Sequence, residues 1–241
     1  MITTILFDLD GTLLPMDQEL FVKTYFKALA ARVAPLGYEP QPLLDAVWAG
    51  TAAMVKNPGT CTNEEVFWNF FAKQFGEQVR EHIPVFEDFY RNEFQQAQKV
   101  CGYNPKAREA VELARSLGFR VILATNPLFP SIATESRIRW AGLEPEDFEF
   151  YTTYENSTHC KPNPAYYQDI LTRAQVKPEE CLMVGNDTTE DLAAATLGIS
   201  IFLQTDCLIN QKSVDISQYP HGDFDALISY LSSLKDSEAG Q

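Results

Sequence analysis

Hydrophobic side chains recur in different rhythms along the chain. Residues 3–7 form a short apolar run of β-branched and aromatic side chains, a pattern that predicts a buried β-strand. From residue 17 to the region of residue 100, apolar positions recur at near-helical spacing without any strand pattern between them. A proline–glycine break at 57–60 separates the second helical stretch from the third. The pattern predicts a bundle of about four helices within residues 15–100, the fourth of them from about residue 84 to residue 100.

Beyond residue 105, helical periodicity alternates with short apolar runs. Such alternation predicts right-handed crossovers, a parallel sheet and helices on both of its faces. The fold class is therefore predicted to be α/β, a three-layer Rossmann-like parallel-sheet core with an inserted α-helical bundle. Strands are predicted at 120–124, 181–184 and 199–203, with a mixed segment at 147–154. Helices are predicted at 106–117, 131–141, 164–174 and 190–197.

The predicted helical bundle interrupts the chain directly after the first strand, so it is an insertion into the sheet domain. We expect residues 1–14 and 101–241 to form the core and residues 15–100 to form the helical domain. The last residues, 236–241, are expected to fray, as chain ends commonly do.

Charge and composition narrow the classes of partner. The 241-residue chain has a formal net charge of −14, which disfavours nucleic acid and anionic membranes as partners. No stretch approaches the roughly 20 apolar residues that span a bilayer. The five cysteines lack C-x-x-C spacing and the three histidines lack metal-binding spacing, so neither a zinc site nor a disulfide framework is expected. A reducing, cytoplasmic location is the simplest expectation, and the oligomeric state is left open.

Two carboxylates, Asp8 and Asp10, follow the first predicted strand where it meets Gly11. Side chains alternate along a strand, but a turn that begins at Asp10 would let both acids reach one pocket. Gly11 permits such a tight turn, and Thr12 can hydrogen-bond within it. Taken alone, the pair fits equally well with a polar turn, because aspartate is common in turns.

Further polar residues stand at or near the ends of later strands, where ligands collect in parallel sheets. Each has an ordinary alternative: a turn for Thr125-Asn126, an exposed side chain for Lys161, and a solvated helix start for Asp187 and Asp191. Their placement at successive strand ends of one predicted sheet favours a shared site. Together they supply every role that phosphoryl transfer requires.

The chemistry of such a site is specific. Asp8 could attack phosphorus and form an aspartyl phosphate, while Asp10 could protonate the leaving oxygen and later take a proton from water. Asp8, Asp187 and Asp191 could hold a magnesium ion, which prefers oxygen ligands. The remaining groups could stabilise the phosphoryl oxygens in the transition state; they are Thr125, the backbone amide of Asn126 and Lys161.

With these motifs, the chain resembles the haloacid dehalogenase superfamily, in its phosphatase branch. The resemblance implies that Asp8 is the nucleophile, Asp10 the general acid and base, and magnesium the cofactor. It also implies that the helical insertion is a cap over the core site. It places the metal site among Asp8, Leu9 (through its carbonyl), Asp10, Asp187 and Asp191, with Asp191 as outer support. The matching motifs are Asp8-Leu9-Asp10-Gly11-Thr12-Leu13, Thr125-Asn126, Lys161-Pro162 and Gly185-Asn186-Asp187 through Asp191.

Two positions depart from the family's pattern. Asn186 stands where the fourth motif usually has its first acid, so Asp187 is chosen over Glu190 as the metal ligand. Cys160 replaces the glycine frequent before Lys161, where it could narrow the entrance or simply pack.

The predicted function is a magnesium-dependent phosphatase that acts on a small phosphorylated metabolite. Two alternatives remain: a phosphosugar mutase with the same fold, and a non-catalytic binding or regulatory protein. For substrate selection, the loop at residues 57–60 could dip into the site or be an ordinary turn.

Overall fold

The computed structural model of the protein describes residues 1–239, in which one parallel sheet forms the centre. Its strands are β1 (Thr4–Phe7), β2 (Arg120–Leu123), β3 (Cys181–Gly185), β4 (Ser200–Gln204) and β5 (His221–Gly222). The strand order is β2-β1-β3-β4-β5, with all neighbouring pairs parallel. This arrangement confirms the predicted α/β class. β5 was not predicted, because two residues are too few to show a periodic pattern.

Four α-helices follow β1 directly. They are α1 (Gln18–Val33), α2 (Pro40–Val55), α3 (Asn63–Phe75) and α4 (Ile83–Arg91), with short 3-10 helices at Ala34–Leu36, Glu77–His82 and Glu93–Val100. The fourth predicted helix is therefore broken near its middle. Asn92 leaves the helical conformation with φ −115° and ψ −83°, and its side-chain amide donates to the Asp88 carbonyl. A side chain that bonds to nearby backbone in this way competes with helix propagation.

The helices of the sheet domain are α5 (Lys106–Ser116), α6 (Ser131–Trp140), α7 (Pro164–Ala174) and α8 (Phe224–Ala239). The first three agree with the predicted helices, whereas α8 was not predicted. The predicted helix at 190–197 is a 3-10 helix over Leu192–Leu197, and 3-10 helices also cover Pro145–Asp147 and Pro178–Glu180. The mixed segment at 147–154 runs along the outer edge of β2 through a parallel bridge between Leu123 and Tyr151. Helix α8 includes four residues of the tail expected to fray, and the other two lie outside the described residues.

Side chains of the sheet alternate between two apolar layers, as the pleat requires. Ile5 and Phe7 of β1 belong to a cluster that extends into the inserted helices and includes α5 and α8. Leu6 points to the opposite face, where it packs in a cluster with Tyr166 and Tyr167 of α7. The sheet is thus covered on both faces, which gives three layers.

The helical insertion leaves and re-enters the sheet domain at one place. Met16 and Cys101 form an antiparallel bridge, and the Gly102 N–H donates to the Pro15 carbonyl over 2.7 Å. The two segments that connect the insertion to the sheet domain therefore lie side by side just beyond the end of β1. No helix within residues 1–239 is both long and apolar enough to cross a membrane.

Candidate active site

The strand register brings the predicted site residues to one edge of the sheet. Phe7, the last residue of β1, is level with Leu123 of β2 and Val184 of β3. The segments that follow these three strands therefore begin side by side. In open parallel sheets this carboxyl edge is where ligands bind, at the point where the chain changes direction across the sheet.

Asp8, the first residue after β1, lies against the ammonium group of Lys161. Lys161 Nζ donates to Asp8 Oδ1 over 2.8 Å and to Asp191 Oδ1 over 2.7 Å, and its side chain is fully buried. The hydroxyl of Thr12 lies 3.0 Å from Asp8 Oδ2. Sequence separation between these groups is large, so only the sheet brings the first, third and fourth motifs into direct contact.

Burial controls the ionisation of this group of charges. Desolvation raises the pKa of Asp8 to about 7, although the neighbouring Lys161 ammonium acts in the opposite direction. For Lys161, desolvation by itself would lower the pKa. The carboxylates of Asp191 and Asp8 outweigh it, and the pKa of Lys161 is raised well above its usual value. Lys161 therefore stays a cation in the site.

The fourth motif forms a tight turn around Asp187 and Asp191. Asp191 Oδ2 accepts the Asp187 N–H over 2.9 Å, so Asp191 links the backbone of this turn to Lys161. Asp187 Oδ1 accepts the N–H groups of Thr189 and Glu190. Gly185 is required just before the turn, because a Cβ atom there would collide with the Asp191 carboxylate.

Asp10 makes an ion pair that the sequence did not reveal. Arg137 of α6 pairs with Asp10 Oδ2, and the Arg137 side chain is fully buried, with its guanidinium 4.4 Å from the Phe129 ring centre. Burial raises the pKa of Asp10, while the Arg137 charge lowers it. The only sequence signal for Arg137 is its position one helical turn after the apolar Ala133.

Thr125 and Asn126 follow β2 and face the same site. Thr125 is buried, and its carbonyl accepts the hydroxyls of Thr152 and Tyr166 over 2.6 and 2.8 Å. Within residues 1–239, the backbone N–H of Asn126 has no hydrogen-bond acceptor. Its side-chain amide donates to Glu190 over 2.9 Å. Burial raises the pKa of Glu190 to about 8. The hydrogen bond from Asn126 links this residue of the fourth motif to the segment that follows β2.

The Leu9 carbonyl, expected to be a metal ligand, is engaged in the turn after β1. It accepts the backbone N–H groups of Thr12 and Leu14, over 3.2 and 2.8 Å. Both lone pairs of that oxygen are therefore used inside the turn after β1. In contrast, within the described residues 1–239 the carbonyl of Asp10 accepts no hydrogen bond. Among the described residues, that oxygen is therefore open to a ligand.

Asn186 ties two motifs together. Its Oδ1 lies 3.1 Å from the Thr12 hydroxyl, and its Nδ2 donates to the Cys207 carbonyl over 2.7 Å. Gly11 lies directly beneath this amide with a positive φ of +86°, and a Cβ atom there would collide with Asn186 Nδ2. Asn186, which stands where the fourth motif usually has an acid, thus joins the turn after β1 to the loop after β4.

We expect Gly11→Ala to lower the free energy of unfolding by roughly 1–3 kcal/mol and to reduce activity. The added methyl group would both strain the left-handed backbone and push Asn186 away from Thr12. Urea denaturation measures the stability. Gly118→Ala is the matched control, because Gly118 has a φ of +81° and no neighbour within 4 Å of its Cβ position. If both variants lose the same stability, the contact with Asn186 has no role.

A cavity of about 270 Å³ lies between the acids and the inserted helices. Its wall on the sheet side includes Asp8, Asp10, Thr125, Asn126, Asp187 and Glu190. Its wall on the inserted helices includes Phe21, Tyr25, Trp48, Phe67, Phe86 and Tyr90. The acids thus open into a space that the sheet domain and the insertion enclose together.

The loop at residues 57–60 contacts the sheet domain beside this cavity and does not line it. A Cβ atom on Gly59 would collide with the His159 ring, and the nearby Asn63 N–H donates to the Ser157 carbonyl over 2.9 Å. Cys160 is buried and accepts from the Asn63 amide over 3.2 Å. Cys160 therefore belongs to the contact between insertion and sheet domain, in agreement with the packing alternative.

The donor atoms of the site suit a hard divalent cation. Carboxylates outnumber the cations Lys161 and Arg137, and Asp10 Oδ1 is buried without a hydrogen-bond partner. Among the described residues, no three acidic, histidine or cysteine side chains are arranged to hold a metal by themselves. Magnesium commonly uses one or two carboxylates and completes its shell with water and substrate oxygens. The residues present therefore fit magnesium shared with a phosphorylated substrate.

The chain is similar in sequence to two named phosphatases and similar in fold to a solved dehalogenase structure. Phosphoglycolate phosphatase from Vibrio vulnificus is 28% identical over 202 residues, which cover 83% of this chain and 82% of that protein. Pyrophosphatase PpaX from Bacillus cereus is 27% identical over 191 residues, covering 77% and 75%. The structure of 2-haloacid dehalogenase from Pseudomonas syringae pv. Tomato has the same fold, with a TM-score of 0.64 at 20% identity, over 97% of this chain and 100% of that one.

A family model provides the assignment. The model described as haloacid dehalogenase-like hydrolase matches residues 2–197, which include all four motifs at the carboxyl edge of the sheet. The sequence resemblance and the fold agree with this match. The chain therefore belongs to the haloacid dehalogenase-like hydrolase family.

Proposed function

We propose that the protein is a magnesium-dependent phosphatase that hydrolyses a small phosphorylated metabolite through an aspartyl phosphate on Asp8. The observation that carries this proposal is the position of Asp8. Asp8 and Asp10 line the same wall of the cavity, and Asp8 accepts a hydrogen bond from the Lys161 ammonium group. Membership of the family makes the chain a hydrolase, and the phosphatases among its relatives support a phosphoric monoester as the substrate.

In the first step, a carboxylate oxygen of Asp8 attacks phosphorus while the bond from phosphorus to the leaving oxygen breaks. Asp10 donates a proton to that oxygen, so that a neutral alcohol departs. Burial raises the pKa of Asp10, which is the direction that a proton donor requires, and Arg137 orients the carboxyl group from α6.

In the second step, water attacks the phosphorus of the aspartyl phosphate. Asp10, now ionised, accepts a proton from that water, and the bond between phosphorus and the Asp8 oxygen breaks. Inorganic phosphate leaves, and both carboxyl groups return to their initial states.

The negative charge of the phosphoryl oxygens is stabilised by groups around Asp8. Lys161 carries a fixed positive charge, and the Asn126 N–H and the Thr125 hydroxyl can donate hydrogen bonds. Asp8, Asp187 and the Asp10 carbonyl would hold the magnesium ion, with Asp191 supporting the Asp187 backbone. When bound, the ion offsets the repulsion between the phosphoryl group and Asp8.

The inserted helices, residues 15–100, act as the cap in this proposal. Four of their helices supply the roof of the cavity, and the two connections at Met16 and Cys101 are adjacent, which is suited to motion about one hinge. Closure of such a cap would exclude bulk water before the first step. The relatives' names place phosphoglycolate and pyrophosphate among the compounds to be tested.

We expect the protein to release inorganic phosphate from members of a panel of phosphomonoesters only when magnesium is present. Chelation with EDTA should abolish release, and excess magnesium should restore it, because a bound metal ion would offset the repulsion between the phosphoryl group and Asp8. Phosphate is measured colorimetrically and the organic product by mass spectrometry. Isomerised phosphosugar without released phosphate would instead identify a mutase, and binding of esters without any turnover would identify a non-catalytic protein.

A further inference from the structure

The cavity changes character away from the acids. Beyond Asp8 and Asp10, its wall is formed by side chains of the inserted helices that are mostly apolar or aromatic. Tyr25 of α1, Trp48 of α2 and Phe86 of α4 are members of this wall. A leaving group attached to a phosphoryl group on Asp8 would have to occupy this part of the cavity.

The same wall contains no cation. Within the described residues, neither lysine nor arginine lines the cavity, and Glu87 adds a further acid on the insertion side. The nearest buried cations are already engaged, Lys161 with Asp8 and Asp191, and Arg137 with Asp10. An additional carboxylate or phosphate on the leaving group would lose its hydration without gaining a counter-ion, which is costly.

Within the described residues, the polar groups of this wall other than Glu87 are uncharged, and they include two tyrosine hydroxyls. The Tyr25 and Tyr90 hydroxyls lie 3.1 Å apart and hydrogen-bond to each other. Burial raises the pKa of Tyr90 to about 12 and the pKa of Tyr25 well above its usual value, so both stay protonated at neutral pH. They offer hydrogen bonds to an uncharged oxygen or nitrogen atom but no charge for an anion.

Trp48 supplies a contact that folding alone does not explain. This side chain is 53% exposed, although it lines the cavity and packs edge-on against Phe26 with ring centres 5.3 Å apart. A large aromatic side chain left in contact with water at a cavity is typical of a binding surface. The cavity volume of about 270 Å³ is near the lower limit for small-molecule sites and suits a leaving group of about one ring.

We propose that the substrate is a phosphomonoester whose leaving alcohol is uncharged, apolar and of the size of one ring, bound between Trp48 and the aromatic wall of the inserted helices. This rests on the proposed phosphatase function. It sets the protein apart from enzymes whose leaving group carries a second anion, such as a carboxylate or a phosphate.

The test compares benzyl phosphate with phosphoglycolate, because both release a primary alcohol and differ in the charge and the apolar surface of the leaving group. With magnesium present, kcat/KM for benzyl phosphate is expected to be at least about tenfold higher, since one well-buried apolar group gives that ratio or more. Equal values or a preference for phosphoglycolate would overturn the inference while leaving the phosphatase function intact.

Two variants locate the preference in the wall. Thr51→Lys places a cation in the cavity and should lower the benzyl-to-phosphoglycolate ratio about tenfold, as expected for one compensated charge. Ala52→Lys is the matched control, because Ala52 is exposed, does not line the cavity and should leave the ratio unchanged. Circular dichroism verifies that both variants fold, and an equal ratio in both would contradict the assignment.

Trp48→Ala tests the contact itself. We expect KM for benzyl phosphate to rise several-fold with kcat little changed, and KM for phosphoglycolate to stay constant. Calorimetric titration of the Asp8→Asn protein with the two esters measures binding without turnover. A binding preference for benzyl phosphate, together with no phosphate release from either ester by the unmodified protein, would contradict the phosphatase function and keep the inference on ligand class. The opposite pattern, turnover of phosphoglycolate alone, would overturn only the inference.

Discussion

Asp8→Asn is expected to reduce phosphate release by about 10³-fold or more while leaving the fold unchanged. An amide oxygen cannot attack phosphorus as a carboxylate does, so no aspartyl phosphate can form. The substitution keeps the shape of the side chain, and an amide oxygen can still accept the hydrogen bond from Lys161. Steady-state kinetics with the best ester of the panel measure the loss, and quenched turnover of the unmodified protein should trap the phosphorylated chain.

The matched control for this variant is Asp215→Asn, which changes an exposed aspartate that accepts the Ser217 N–H and does not line the cavity. It should retain full activity. Intact-mass measurement verifies that the amide at position 8 has not hydrolysed during preparation. Turnover of the Asp8 variant within tenfold of the unmodified protein would contradict the assignment of the nucleophile.

Lys161→Met is expected to lower the free energy of unfolding by about 3–5 kcal/mol and to abolish activity. Lys161 is the buried cation that pairs with both Asp8 and Asp191, and its removal leaves two carboxylates without a counter-ion. Methionine fills most of the same volume, so loss of packing contributes little. Urea denaturation followed by circular dichroism gives the stability, and the phosphate assay gives the activity.

A double variant distinguishes the loss of the Lys161 ion pair from a general loss of core packing. The double variant Lys161→Met with Asp191→Asn should lose clearly less stability than the two single variants added together, because each removes the same ion pair. Lys106→Met is the surface control: its ion pair with Asp225 is exposed, and the midpoint of unfolding should barely change. Additive losses in the double variant would argue against a shared buried charge group.

Local sequence patterns predicted much of the fold. The helix at 164–174 was predicted with the bounds that α7 has, because Pro164 starts it and the apolar spacing continues to Ala174. β5 and α8 were missed, since residues 206–239 contain a long irregular stretch before the last helix. The break at Asn92 was missed because it depends on a side chain that bonds to the backbone of Asp88, which periodicity does not reveal.

For the candidate site, the sequence indicated which strand-end residues lie together, but not all of their contacts. Residues directly after predicted strands, such as Asp8 and Asp187, could be grouped because all parallel strands end at one edge of the sheet. The Leu9 carbonyl was assigned from the resemblance, and the structure shows that it accepts two backbone hydrogen bonds of the turn, which the sequence does not reveal. Arg137 was not considered, because a helix in isolation does not show which distant acid one of its side chains will contact.

The sequence by itself determined the class of fold, the succession of strand-end motifs and the membership of a hydrolase family, because these depend on local periodicity and on short motifs. Only the tertiary structure decided that Arg137 pairs with Asp10 and that Asn186 holds the turn at Gly11. It also decided that no lysine or arginine among the described residues lines the cavity. Those properties depend on contacts between residues that are far apart in the sequence, and the packing of the folded chain decides which of these residues meet.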